Sequence, residues 1–296
     1  MSEAASARSA IRREAEEVAG TFPALLIEAE RVAQTVASGM HGRRRPGQGE
    51  NFWQHRAYVF GDPVNAIDWR QSARASGRLY VRQNEWDAAA AVWIWRDASA
   101  SLDYRFDAHA PTKRRRADVL AVALSILLAE AGERIGLLGG ARAHYGRTAP
   151  MRILEGLLAA PVEDGGPPPG ATGFGSRVAM LSDFFIDLSS LQAAVGACAG
   201  AGAAGVLLQV VDAAEEEFPF EGRIEFEDVE TRSRLVLGEA ASLGDDYRRL
   251  FIAHREAVAD IARRYGWTFI AHRTDRPPQT ALLSLYRALA DLKALK

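Results

Sequence analysis

Residues 97–101 read Asp-Ala-Ser-Ala-Ser and directly follow an apolar run, Val92-Trp93-Ile94-Trp95. Alternate residues of an extended segment point the same way, so Asp97, Ser99 and Ser101 can converge on one point. One carboxylate and two hydroxyls make a hard, oxygen-only donor set suited to Mg²⁺, with Mn²⁺ or Ca²⁺ as alternatives. No histidine or cysteine joins them, which argues against zinc. A second carboxylate, Asp183, ends another apolar run that closes Met180-Leu181-Ser182. Thr148, in Gly146-Arg147-Thr148, stands directly before a helix and can supply a third hydroxyl. The same residue types also cap helices and close turns, so each has a simpler use open to it.

For these groups to meet, the chain must bring separate strand ends to one edge. Strands are expected at 91–96, 134–138, 178–181, 206–211 and 268–271, and helices at 113–131, 150–160, 188–199, 245–265 and 279–295. Short apolar strands alternating with helices predict an α/β fold, doubly wound, with a mostly parallel central sheet and helices on both faces. In such sheets ligands sit beyond the carboxyl ends of the strands, where strand order reverses. Residues 1–42 read as an N-terminal helical extension, 43–89 as an aromatic and charged β-containing collar, and 90–296 as the main domain with a β-hairpin insertion at about 217–238. Within the collar, Trp53 and Trp69 are expected to pack on the main domain, a partner-binding surface being the alternative.

Residues 188–211 carry no charge over a membrane-spanning length and contain Gly196-x-x-x-Gly200. Gly200-Ala201-Gly202 divides them, so the expectation is helix, turn and buried strand. The net charge of −2 makes no demand for nucleic acid or an anionic membrane. The single cysteine, Cys198, excludes an internal disulfide, and the N-terminus is polar with no visible signal peptide. Together they point to the cytoplasm and to a chain without a membrane span. The basic runs Arg43–Arg45 and Lys113–Arg116 read as solvated surface, the second opening a helix.

The stretch GENFWQHRAYVFGDPVNAIDWRQSARASGRLYVRQNEWD, followed by a strand and DASAS, closely resembles the bacterial domain of unknown function 58 family. Its diagnostic residues are Tyr58, Gly61-Asp62-Pro63, Ile67-Asp68-Trp69-Arg70 and Leu79-Tyr80-Val81-Arg82, and the resemblance runs from about residue 40 to the C-terminus. That family looks like a divergent von Willebrand factor A domain, whose metal-ion-dependent adhesion site uses Asp-x-Ser-x-Ser, a threonine and a later aspartate. Carried over, Asp97, Ser99 and Ser101 match the first motif and Asp183 the last, with Phe184 where adhesion domains often have glycine. Thr148 is the best positional match for the threonine, although GRTAP departs from the pattern; Thr172 is a second option, with no helix between it and the next strand.

The resemblance implies a protein-interaction module. A Mg²⁺ held by these residues would leave one position for an acidic side chain of a protein partner, and the setting would be an adaptor working with a MoxR-type AAA+ ATPase in chaperone-like complex assembly. A metal-dependent phosphate-ester hydrolase and a scaffold with a degenerate metal site are the alternatives. No catalytic residue is assigned, because the P-loop, G-x-S-x-G and H-E-x-x-H patterns are absent and the six histidines are scattered.

Overall fold

The computed structural model describes residues 27–37, 52–57, 69–74, 79–84, 91–161, 166–168, 172–227, 234–237 and 243–292. The chain divides into two compact units, residues 44–89 and residues 1–43 together with 90–296. Helix α1 is described over 27–37. In the smaller unit, strands β1 (Phe52–Ala57) and β2 (Tyr80–Asn84) pair antiparallel, with the short helix α2 (Trp69–Ser72) between them in sequence. Ser72 Oγ accepts the Tyr80 amide at 2.8 Å. Trp69 is 61% exposed. The collar residues at 58–68 and the side chain of Trp53 lie outside the described residues.

In the larger unit, β3 (Ala91–Arg96), β4 (Arg134–Leu137), β5 (Arg177–Ser182), β6 (Ala204–Val211) and β9 (Thr268–Arg273) form one parallel sheet in the order β4-β3-β5-β6-β9. Helices α3 (Lys113–Glu130), α4 (Ala149–Ala159), α5 (Leu188–Gly200), α6 (Ala213–Glu217), α7 (Gly244–Arg264) and α8 (Pro278–Asp291) complete it, and β7 (Ile224–Glu227) pairs with β8 (Arg234–Leu237) as the expected hairpin.

The central strands β3, β5 and β6 are mostly apolar because both their faces are covered, whereas the edge strand β9 is partly exposed. Val92, Ile94, Ala179, Leu181, Val206, Leu208 and Val210 enter one core with residues of α3, α4 and α8. The intervening residues Trp95, Val178, Met180 and Leu207 enter the other, with residues of α5 and α7. Ala29, Val32, Ala33 and Val36 of α1 are buried in the first core, so α1 docks within this unit. Residues 188–211 form helix α5, a turn and strand β6. Among the described residues no helix is long and apolar enough to cross a membrane.

Strand order reverses between β3 and β5, since the chain goes from β3 outward to β4 and then back past β3 to β5. The carboxyl ends of β3 and β5 therefore flank the switch point, where an open α/β sheet has its natural cleft. The return from β4 is irregular. His144 pairs antiparallel with Ile135, so the chain has already turned back along β4 before α4 begins. Helix α4 then runs towards the carboxyl ends of the strands, where the Arg96 guanidinium donates to the Leu157 carbonyl at 2.6 Å.

Candidate functional site

Asp97 follows β3 and is fully buried. Its amide continues the ladder, donating to the Leu181 carbonyl at 3.0 Å. Its Oδ1 accepts the Ser99 amide at 2.8 Å, a local bond that ends the strand, and its Oδ2 accepts the Ser182 hydroxyl at 2.6 Å. Ser99 opens a short 3₁₀ turn, Ala100–Asp103. The Ser99 and Ser101 hydroxyls lie 3.0 Å apart, and Ser101 donates to Asp183 Oδ2 at 2.8 Å. The acidic and hydroxyl residues of β3 and β5 therefore meet at one rim.

The loop after β5 is tightly formed. Ser182 Oγ accepts the Phe184 amide at 2.7 Å and Asp183 Oδ1 accepts the Phe185 amide at 3.0 Å. Turning both amides inward puts Phe184 at φ +59°, a left-handed conformation that favours glycine. Phe184 is nevertheless fully buried. The backbone here keeps a glycine-like shape under a large side chain.

Thr148 is not part of this cluster. It is exposed at the start of α4 and makes no side-chain cap bond. Because α4 runs towards the carboxyl rim, Thr148 stands one helix length away, roughly 14 Å, at the opposite end of the sheet. Its neighbours Arg147 and Pro150 line a cavity with Ala129 and Glu130 at the far end of α3. Thr172 precedes β5 and is likewise at the amino end of the strands.

The largest departure from the sequence reading is Lys113. It opens α3 behind the N-cap Thr112, and its side chain is 1% exposed instead of solvated. Its Nζ lies 2.7 Å from Asp183 Oδ2 and 2.5 Å from Glu215 Oε1. Burial works to lower the lysine pKa, but the two carboxylates outweigh it and hold the ammonium charged, above its ordinary range. Glu215 sits in a capping box with Asp212, the residue that ends β6. Burial raises its carboxyl, and Lys113 opposes that shift. The Lys113 ammonium also lies 5.6 Å from the Tyr104 ring centroid and 5.3 Å from that of Phe185. Asp212 carries the same mark as Asp97 and Asp183, an apolar strand ended by an aspartate. Nothing in the Lys113–Arg116 run distinguishes the one buried ammonium from its neighbours.

Beyond the ion pairs, ring contacts run along the rim from Phe106 through Phe220, Phe218, Tyr247 and Phe251 to Phe185, with centroid separations of 4.6 to 6.2 Å. Phe106 is 57% exposed and Phe185 37%.

The profile described as "Protein of unknown function DUF58" matches residues 54–257. The chain belongs to the DUF58 family. Its relatives include uncharacterised proteins of Mycobacterium bovis (Mb1516) and Mycobacterium tuberculosis (Rv1480), each 28% identical over 262 residues, covering 81% of this chain and 80% of theirs. Among solved structures, the conserved hypothetical protein BatB of Bacteroides thetaiotaomicron is similar at 14% identity and a TM-score of 0.42, over 69% of this chain and 99% of that one. An aerotolerance-related membrane protein of Bacteroides fragilis is similar at 14% identity and a TM-score of 0.43, over 68% and 99% respectively.

In this DUF58 chain the donor set does not fit a divalent ion while Lys113 stands where it does. Asp183 Oδ2 already receives both the Lys113 ammonium and the Ser101 hydroxyl, and both Asp97 oxygens are engaged. A dication bound to Asp183 would lie about 4 Å from the ammonium and meet repulsion of about 8 kcal/mol at an effective dielectric near 20. Among the described residues no group of three or more His, Cys, Asp or Glu side chains has the spacing to hold a metal.

Proposed function

We propose that this chain is a non-enzymatic protein-interaction module, an adaptor that works in the cytoplasm with a MoxR-type AAA+ ATPase and docks its partner at the carboxyl rim of the sheet. One observation carries the reading: the polar groups at the switch point are satisfied within the fold, while Phe106 and Phe185 beside them stay exposed. Asp97, Asp183 and Lys113 are buried, with Asp97 bonded to the Ser99 amide and the Ser182 hydroxyl and Asp183 paired with Lys113, which suits a rigid support better than a reacting group. Phe106 and Phe185 offer aromatic surface of the kind that dominates interfaces. Arg105, exposed beside Phe106, supplies positive charge for an acidic side chain of the partner.

The test is direct binding between the purified full chain and the purified MoxR-type ATPase from the same genome, followed by sedimentation and by ATPase rate. A complex is expected, weakened about tenfold or more by Phe106→Ala with Phe185→Ala, as for truncated aromatic anchors. A generic phosphate ester with Mg²⁺ or Mn²⁺ is expected to show no turnover. Absence of a complex, or turnover that Asp97→Asn abolishes, would overturn the reading.

A further inference from the structure

We propose that the Lys113 ammonium is the resident cation of this rim, occupying the place beside Asp183 that a divalent ion would otherwise take. The proposal concerns how the centre is built and holds whatever docks on it, so it stands or falls separately from the adaptor reading.

The geometry carries it. Two acidic side chains from different elements, Asp183 after β5 and Glu215 in α6, grip one ammonium at 2.7 and 2.5 Å. Tyr104 and Phe185 place ring faces against that same ammonium. Lys113 is 1% exposed and Asp183 fully buried, so the ammonium fills the space beside that carboxylate. The serines point inward in keeping with this: Ser101 donates to the carboxylate the lysine shares, and Ser99 contacts Ser101. Asp97 takes no part in binding the cation, since the Ser99 amide and the Ser182 hydroxyl occupy its two oxygens. An adhesion-like centre of this kind needs no metal, and its partner cannot complete a metal coordination sphere. Recognition then falls to the aromatic residues and charges around the rim.

A buried lysine that is covalently part of the fold also differs from an ion in its response to conditions. Chelation cannot remove it, and divalent salt cannot strengthen it. The experiment measures both. Thermal unfolding of the full chain is followed in chelator and in Mn²⁺, and the free Mn²⁺ signal is read by electron paramagnetic resonance. A resident ion at about a hundredfold excess over its Kd shifts unfolding by roughly 5–10 °C. The wild-type chain is expected to shift by less than about 1 °C and to leave the Mn²⁺ signal unchanged.

Lys113→Met, which removes the charge and keeps the stem, is expected to gain a Mn²⁺-dependent rise in unfolding temperature. Should that variant not fold, the triple variant Lys113→Met/Asp183→Asn/Glu215→Gln decides: it is expected to unfold at a higher temperature than Asp183→Asn/Glu215→Gln, because that double variant strands a buried ammonium with both of its carboxylates gone. Mn²⁺ uptake by the wild type overturns the proposal. So does a folded Lys113→Met as indifferent to Mn²⁺ as the parent, or a triple variant no more stable than Asp183→Asn/Glu215→Gln.

Discussion

Phe184 tests how the β5 loop holds Asp183 in place. It is fully buried in the core shared with Met180, Leu191 and Trp267, yet its backbone stands at φ +59°. Two substitutions separate these features. Replacing Phe184 with alanine removes a buried ring, a loss of about 3–5 kcal/mol, and leaves a Cβ in the left-handed region at a continuing cost of about 1–2 kcal/mol. Glycine removes the same ring but relieves that conformational cost, offset by about 0.4–1 kcal/mol of extra chain entropy in the unfolded state. The expected order of stability is therefore wild type, then Phe184→Gly, then Phe184→Ala, with glycine ahead of alanine by roughly 0.5–1 kcal/mol. This inverts the usual preference of alanine over glycine. Urea unfolding followed by tryptophan fluorescence measures it, since Trp95 and Trp267 line the same core. Equal stability, or alanine ahead, would show that the loop does not hold residue 184 in the left-handed basin.

Two buried groups give opposite pH responses. Burial pushes the Asp118 carboxyl up to about 6, with Arg96 Nε 2.8 Å away offsetting only part of it. The native state then binds the proton more tightly than the unfolded chain, so this group adds about 3 kcal/mol of stability as pH falls from about 6 to 4. Burial, with Arg116 second, pushes His272 down to about 4. The unfolded chain takes that proton near 6.5, so this group removes roughly 3 kcal/mol as pH falls through the window from 6.5 to 4. Urea midpoints across pH 4–7 are expected to fall more steeply with acid in Asp118→Asn and less steeply in His272→Gln; parallel curves for all three proteins would refute both assignments. Asp97→Asn sets an amide donor against Ser99 N–H or Ser182 O–H, at a cost of about 1–3 kcal/mol. Faster amide hydrogen exchange at residues 97–103 is the expected signature, and unchanged protection there would count against the anchoring role.

The strand pattern was legible because burial on both faces demands continuous apolar runs, and all five parallel strands appear where those runs stand. Asp97, Ser99, Ser101 and Asp183 were legible for a related reason: a polar residue ending an apolar strand must lie at a sheet edge, and parallel strands put their carboxyl ends on the same edge. Asp212 carries the same mark directly after β6. The position of Thr148 depended on the direction of α4. That direction follows from the Ile135–His144 bridge, a pairing set by a loop with no periodic signal.

By itself, the sequence determined the alternation of strands and helices, the parallel sheet, and the gathering of two acidic strand ends at one rim, because hydrophobic period and chain direction are local properties. Only the tertiary structure decided what neutralises that rim. Lys113 reaches Asp183 across 70 residues and Glu215 across 102, and a lysine in a basic run carries no mark of burial until packing removes its water, as it does for Arg116 of the same run.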